Sequence, residues 1–151
     1  MLEITLVALL LLHPNPDRAP LQDYAQVITE ESKRVDIDPL LVVALIHREG
    51  RWNPKAKSGK GDFGLMQIRA RLYKRYRNDP KKLLDPLVNI TVGIEALVMW
   101  RTYHEKSCSS SKKHDWWAHY QHGNRVSNNR SAKRVERLWH WLRDRTRRNE
   151  T

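Results

Sequence analysis

Glu49 ends an apolar run, Leu40-Leu41-Val42-Val43-Ala44-Leu45-Ile46-His47-Arg48-Glu49, and is followed by Gly50-Arg51-Trp52-Asn53-Pro54. A second compact block, Gly61-Asp62-Phe63-Gly64-Leu65-Met66-Gln67-Ile68, comes shortly afterwards. A carboxyl beside an aromatic, next to a glycine-rich turn that lets a ligand approach the backbone, suits acid/base chemistry on a neutral polymer. On a helix, Val42, Leu45 and Ile46 share the side from which Glu49 projects. With Trp52 as a further apolar wall, the Glu49 carboxyl is predicted to resist ionisation and to hold a proton near neutral pH. No nucleophile–base pair or metal cluster elsewhere in the chain competes with it.

Acid/base cleavage of a polymer linkage ordinarily uses two carboxylates, one as acid and one as base or nucleophile. The candidates for a second are Asp62, in the glycine-rich turn, and Asp85, which already has a capping role. Neither sits in a pattern that demands catalysis.

The elements that must carry these residues read as nearly all helix. Pro20 opens a helix whose apolar positions Leu21, Tyr24, Ala25, Ile28 and Val35 extend to about residue 36. Asp38-Pro39 is a cap followed by a first-turn proline, which predicts a helix from Pro39 to Glu49. Asp85-Pro86 repeats the signature for a helix to about Glu105, with Leu87, Ile90, Ile94, Leu97 and Val98 on its apolar side. A serine-rich linker, 108–113, leads to short helices near 115–121 and 127–148, the latter striped by Val135, Leu138, Trp139 and Leu142. No run alternates long enough for a substantial sheet, and there is no internal repeat.

The 151 residues suffice for one domain with a real core. The single cysteine, Cys108, excludes an internal disulfide and gives no support for a zinc site. Neither a cofactor nor a metal is expected. The net charge of +11 favours polyanionic partners. It is uneven: residues 51–83 hold 11 basic and 2 acidic side chains, and 124–151 hold 9 and 3, around a balanced middle. Nucleic-acid binding is not the main function read here, because a basic surface alone has no means of reading sequence. Anionic polymers or lipids of a cell envelope account for the same charge.

Near the start, Ile4–Leu12 is apolar except for Thr5, too short to span a bilayer but long enough for the core of an export signal. No Lys or Arg precedes it, Glu3 has the wrong sign, and no small-x-small cleavage site follows. Residues 1–19 are read as an export signal or N-terminal anchor, with a buried helix as the alternative; Pro14, Pro16 and Pro20 argue against continuity with the domain.

Four blocks, Glu49–Pro54, Gly64–Ile68, Asn89–Gly93 and Tyr120–Gly123, resemble in order and spacing the soluble lytic transglycosylases, over roughly residues 20–140. The resemblance implies a mainly α, single lysozyme-like domain (20–148), with a glycine-rich loop beside the catalytic helix. It implies non-hydrolytic cleavage of the MurNAc–GlcNAc bond of peptidoglycan, with one glutamate, here Glu49, as acid and then base. Met66 and Gln67 are carried over as substrate contacts, Gln121 joins them, and Tyr120 matches the tyrosine that hydrogen-bonds the glutamate. Asn89 and Gly93 are expected to pack behind the site. Of the six tryptophans, Trp52 and one of Trp116 or Trp117 are expected nearest the cleft. The chain departs from the family at Gly50 (commonly Ser), Gln121 (usually Asn) and His122 (usually small). Two alternatives stay open, a muramidase using Asp62 and a non-catalytic basic peptidoglycan-binding module. Action as a monomer in the periplasm or envelope is expected, whether in a bacterium remodelling its wall, in a secretion or conjugation machine, or as a phage-encoded protein delivered there.

Overall fold

The computed structural model describes residues 1–16, 20–108, 115–126 and 130–148. Its helices are α1 (Leu2–Leu12), α2 (Leu21–Val35), α3 (Pro39–Glu49), α4 (Pro86–Ser107), α5 (Ala118–His122) and α6 (Arg130–Arg147). Between α3 and α4 lie a two-stranded antiparallel ribbon, β1 (Asp62–Phe63) and β2 (Ile68–Arg69), and three 3-10 turns, Ala70–Leu72, Lys74–Tyr76 and Pro80–Leu84. This is the mainly α domain predicted from the helical spacings. The linker residues 109–113 and the predicted helix start at 127 lie outside the described residues.

Helix α3 is the centre of the fold. Asp38 Oδ1 accepts from the Leu40 amide at 2.9 Å, and Pro39 occupies the first turn, so the helix begins where a cap and a pre-set φ place it. Every residue from Pro39 to Ile46 is buried. A helix apolar on all faces has to be surrounded, and α1, α2 and α6 pack on it. Each large aliphatic side chain withdrawn from water contributes about 1.5–3 kcal/mol, so the helix end bearing Glu49 is firmly anchored. Asp38 has a second task. Its Oδ2 accepts from Trp139 Nε1 at 2.9 Å, which docks α6 through the predicted stripe, with Val135 and Leu142 fully buried.

Helix α4 starts at its predicted cap, with Asp85 Oδ1 accepting from the amides of Leu87 (2.9 Å) and Val88 (3.0 Å). Ile90, Ile94 and Leu97 are buried as expected, whereas Leu87, in the first turn, is exposed. The segment read as an export signal or anchor forms α1. It shares the core: Ala8 and Leu9 are fully buried, and Thr29 Oγ1 donates to Thr5 Oγ1 at 3.0 Å. Among the described residues no helix is long and apolar enough to cross a membrane.

Candidate active site

Glu49 sits half-buried at the C-terminal end of α3, on a cleft of about 550 Å³. Burial pushes its carboxyl above the ordinary value; the hydrogen bond from Gln121 draws it back, the Asp62 charge pushes it further up, and Arg48 opposes. The balance is upward, as predicted from the apolar surroundings. A helix C-terminus adds to this, because it disfavours negative charge.

The chain leaves α3 by a sharp reversal. Arg51 and Trp52 both take left-handed backbone conformations, φ 48° and 65°, each costing about 1–3 kcal/mol in a residue other than glycine. Burial of Trp52 and a 3.0 Å bond from its Nε1 to His47 Nδ1 offset this strain. Trp52 therefore faces His47 and His13, the latter 5.2 Å away between ring centroids, and does not line the cleft. The expected Trp52 wall is thus misplaced, because the reversal turns the indole to the opposite side of α3. Trp116 and Trp117 also pack elsewhere, Trp117 against Trp139. The cleft tryptophan is Trp100, one turn beyond Ala96 on α4. No sequence signal singles it out, because every helical position has an i, i+4 neighbour and the face of α4 that meets the cleft is set by packing.

Gly50 has a steric reason. A Cβ there would stand 2.3 Å from the carbonyl oxygen of Leu65, so the turn carrying Gly64–Ile68 presses directly on the end of α3. Gly64 (φ +75°) is equally constrained, since a Cβ would meet Asn89 Nδ2 at 2.3 Å. Asn89 is fully buried and clamps the turn: its Oδ1 accepts from Met66 N (2.7 Å), and its Nδ2 donates to the carbonyls of Phe63 and Leu83 (2.8 Å each). Asn89 and Gly93 therefore do pack behind the site, and Asn89 does more than pack.

Met66, carried over as a substrate contact, is corrected by this packing. Its side chain is wholly buried, with Sδ where a Cβ on Gly93 would be, 2.1 Å away, so only its backbone serves the site. Tyr120 is corrected in its partner. Its hydroxyl donates to the Met66 carbonyl at 2.8 Å, and Gln121 Nε2, at 2.5 Å from Glu49 Oε1, makes the bond expected of the tyrosine. Tyr120 still lines the cleft, where burial raises its phenol well above the ordinary value. Gln67 lines it too, in a left-handed conformation (φ 49°) with Nε2 donating to Gly64 O at 2.9 Å.

Asp62, the other carboxylate on the cleft, is already engaged. Directly across the ribbon, Arg69 Nε donates to its Oδ1 at 2.8 Å and Nη2 to its Oδ2 at 3.3 Å, while Ser58 Oγ donates to Oδ2 at 2.7 Å. Burial pushes the Asp62 carboxyl up, but the bonds from Arg69 and Ser58 together outweigh it and hold the group below the usual range.

Residues 26–134 match the transglycosylase SLT domain family. The chain belongs to that family. It is 34% identical over 90 residues to the soluble lytic murein transglycosylase of Salmonella typhimurium, covering 54% of this chain and 14% of the relative. It is 30% identical over 82 residues to the membrane-bound lytic murein transglycosylase E of Buchnera aphidicola, covering 48% of this chain and 37% of the relative. The chain thus aligns with well under half the length of either relative. The SLT match spans α3, the ribbon, α4 and α5, the elements that build the cleft.

Proposed function

We propose that this chain is a lytic transglycosylase that cleaves the β-1,4 bond between MurNAc and GlcNAc of peptidoglycan without consuming water, leaving 1,6-anhydro-muramoyl ends. The observation that carries the reading is the inequality of the two cleft carboxyls: Glu49 is pushed up and Asp62 is held down in an ion pair. Glu49 gives its proton to the glycosidic oxygen as the bond to the anomeric carbon breaks. The carboxylate then takes the proton of the same sugar's 6-hydroxyl as that oxygen bonds to the anomeric carbon, and Glu49 ends as it began. Gln121 positions the carboxyl. Its Oε1 and His122 Nε2 are buried with no protein partner, and both residues line the cleft; such groups call for hydrogen-bond partners, and sugar hydroxyl and acetamido groups supply them. Gln67 is a further contact. Action at the cell envelope follows from this substrate, and residues 1–19 are the proposed export or anchoring element, one that stays attached because α1 shares the domain core. N-terminal sequencing of exported protein separates an uncleaved anchor from a removed signal.

A muramidase using Asp62 is the competing enzyme reading. A second carboxylate acting as base or nucleophile must be free to reach the substrate, and Arg69 and Ser58 occupy both oxygens of Asp62. Asp62→Asn is therefore expected to lose part of the activity by loosening the ribbon, with anhydro-muropeptides still the products by mass spectrometry. Collapse of activity together with hydrated reducing ends in the wild-type digest would establish the hydrolase. A non-catalytic binding module would hold sacculi firmly and leave their turbidity unchanged.

The pH profile carries its own sign. Cleavage needs protonated Glu49, so kcat/KM falls as pH rises through the raised pKa. Gln121 donates to the carboxylate and so favours the charged form. Gln121→Leu is expected to raise the Glu49 pKa further, shifting the alkaline limb to higher pH while lowering the maximal rate. A limb that stays in place or moves to lower pH would show that this bond does not govern the ionisation of Glu49.

A further inference from the structure

The end of α4 and the start of α5 bring together three metal-ligating side chains that the proposed chemistry does not use. His104 and Cys108 stand one turn apart at the end of α4, and His119 lies in α5. His104 Nδ1 is 3.1 Å from His119 Nε2, Cys108 Sγ is 3.5 Å from the same nitrogen, and all three atoms lie within 4.8 Å of one another. Zinc bonds of about 2.0–2.1 Å to nitrogen and about 2.3 Å to sulfur imply tetrahedral edges of about 3.3 Å (N to N) and about 3.6 Å (N to S). The two edges that meet at His119 Nε2, 3.1 and 3.5 Å, fall close to these values.

The far edge of His119 supports the same assignment. Its Nδ1 is 2.7 Å from the carbonyl oxygen of Gly123. A carbonyl only accepts, so Nδ1 carries the hydrogen and Nε2 presents its lone pair to His104 and Cys108. A backbone carbonyl behind the ring is the usual support of a metal-bound imidazole. His119 is fully buried, stacked on Trp100 (centroids 5.6 Å apart, planes at 13°) and met edge-on by Tyr103, which fixes the ring plane before any metal arrives.

We propose that His104, Cys108 and His119 form a zinc site, with a solvent molecule as fourth ligand. Two imidazoles and a thiolate suit this borderline-soft ion. On binding, Cys108 releases its thiol proton to solvent and forms the Zn–S bond, and the His104 hydrogen that faces His119 moves from Nδ1 to Nε2 through solvent so that Nδ1 can ligate, with no electron transferred. The ion ties the end of α4 to α5, whose next two residues are Tyr120 and Gln121. The lone cysteine concealed this site, because its partners are histidines distributed over two helices.

The test uses the full chain, reduced and stripped of metal, titrated with Zn²⁺ against a chromophoric chelator and, separately, with Co²⁺. One tightly bound zinc per chain, a higher melting temperature with zinc and a thiolate-to-cobalt charge-transfer band are expected. Cys108→Ser should abolish the band, and both Cys108→Ser and His104→Ala should weaken zinc binding by at least the roughly 10–100-fold that loss of even an outer-shell partner costs. His140→Ala, at an exposed histidine on α6, should change nothing. Equal zinc affinity in wild type and Cys108→Ser, or no binding by wild type, overturns the site. Should Cys108→Ser prove unstable without metal, the wild-type cobalt spectrum decides, since absence of the thiolate band also overturns it.

Discussion

Glu49→Gln is expected to reduce cleavage of purified sacculi below detection while leaving the fold and glycan binding intact. The amide keeps the size of the side chain and an oxygen for Gln121 to donate to, but it has no proton to give and none to take back. General acid/base catalysis is worth about 10²–10⁴-fold, and here one group serves both half-reactions. The bound, uncut complex should melt above the free variant, because a ligand that binds only the native state raises its stability. Free of ligand, the variant should itself be more heat-stable than wild type near neutral pH and equal to it in acid. The sign follows from the raised folded-state pKa of Glu49. Below the ordinary carboxylate value both states are protonated; as pH rises past it the unfolded chain ionises first, and the native state loses stability until the raised value is passed. Retention of about a tenth of wild-type activity would be far above the loss that a missing acid implies, and would move the chemistry to another residue.

Asn89→Ala is expected to have the largest effect on stability, about 3–5 kcal/mol by denaturant unfolding, in the range reserved for broken buried networks. The truncation leaves the Met66 amide and the Phe63 and Leu83 carbonyls without the partner that Asn89 supplies, and each orphaned buried group costs about 1–3 kcal/mol. Asn89→Asp separates donor from acceptor. It keeps the bond from Met66 but turns an acceptor toward two carbonyls, so it should be as damaging at neutral pH and partly relieved in acid, when the carboxyl can donate to one of them. Activity should fall even where the variants remain folded, because the Met66 carbonyl is the anchor of Tyr120. A cost of less than about 1 kcal/mol, typical of one ordinary hydrogen bond, would show that the turn is held by other contacts.

Much of this site is legible one element at a time. The caps at Asp38 and Asp85 start α3 and α4 where the Asp-Pro pairs predict, because a cap and a first-turn proline act on their own helix. The raised pKa of Glu49 is legible for a related reason, since the apolar residues of its own helix place it at the end of a buried rod. The four blocks ordered along the chain also suffice for the family. What the chain alone does not reveal depends on side-chain direction across long separations. Gln121, 72 residues from Glu49, takes its oxygen, while Tyr120 turns to Met66, 54 residues away. Adjacent residues on a helix point about 100° apart, so the choice between them is made only when α5 docks. Met66 and Trp52 turn inward and away because Gly93 leaves a socket for one and the reversal after α3 carries the other past the cleft. His104, Cys108 and His119 converge for the same reason: two helices must pack before atoms distant in sequence can share one proton, or one ion.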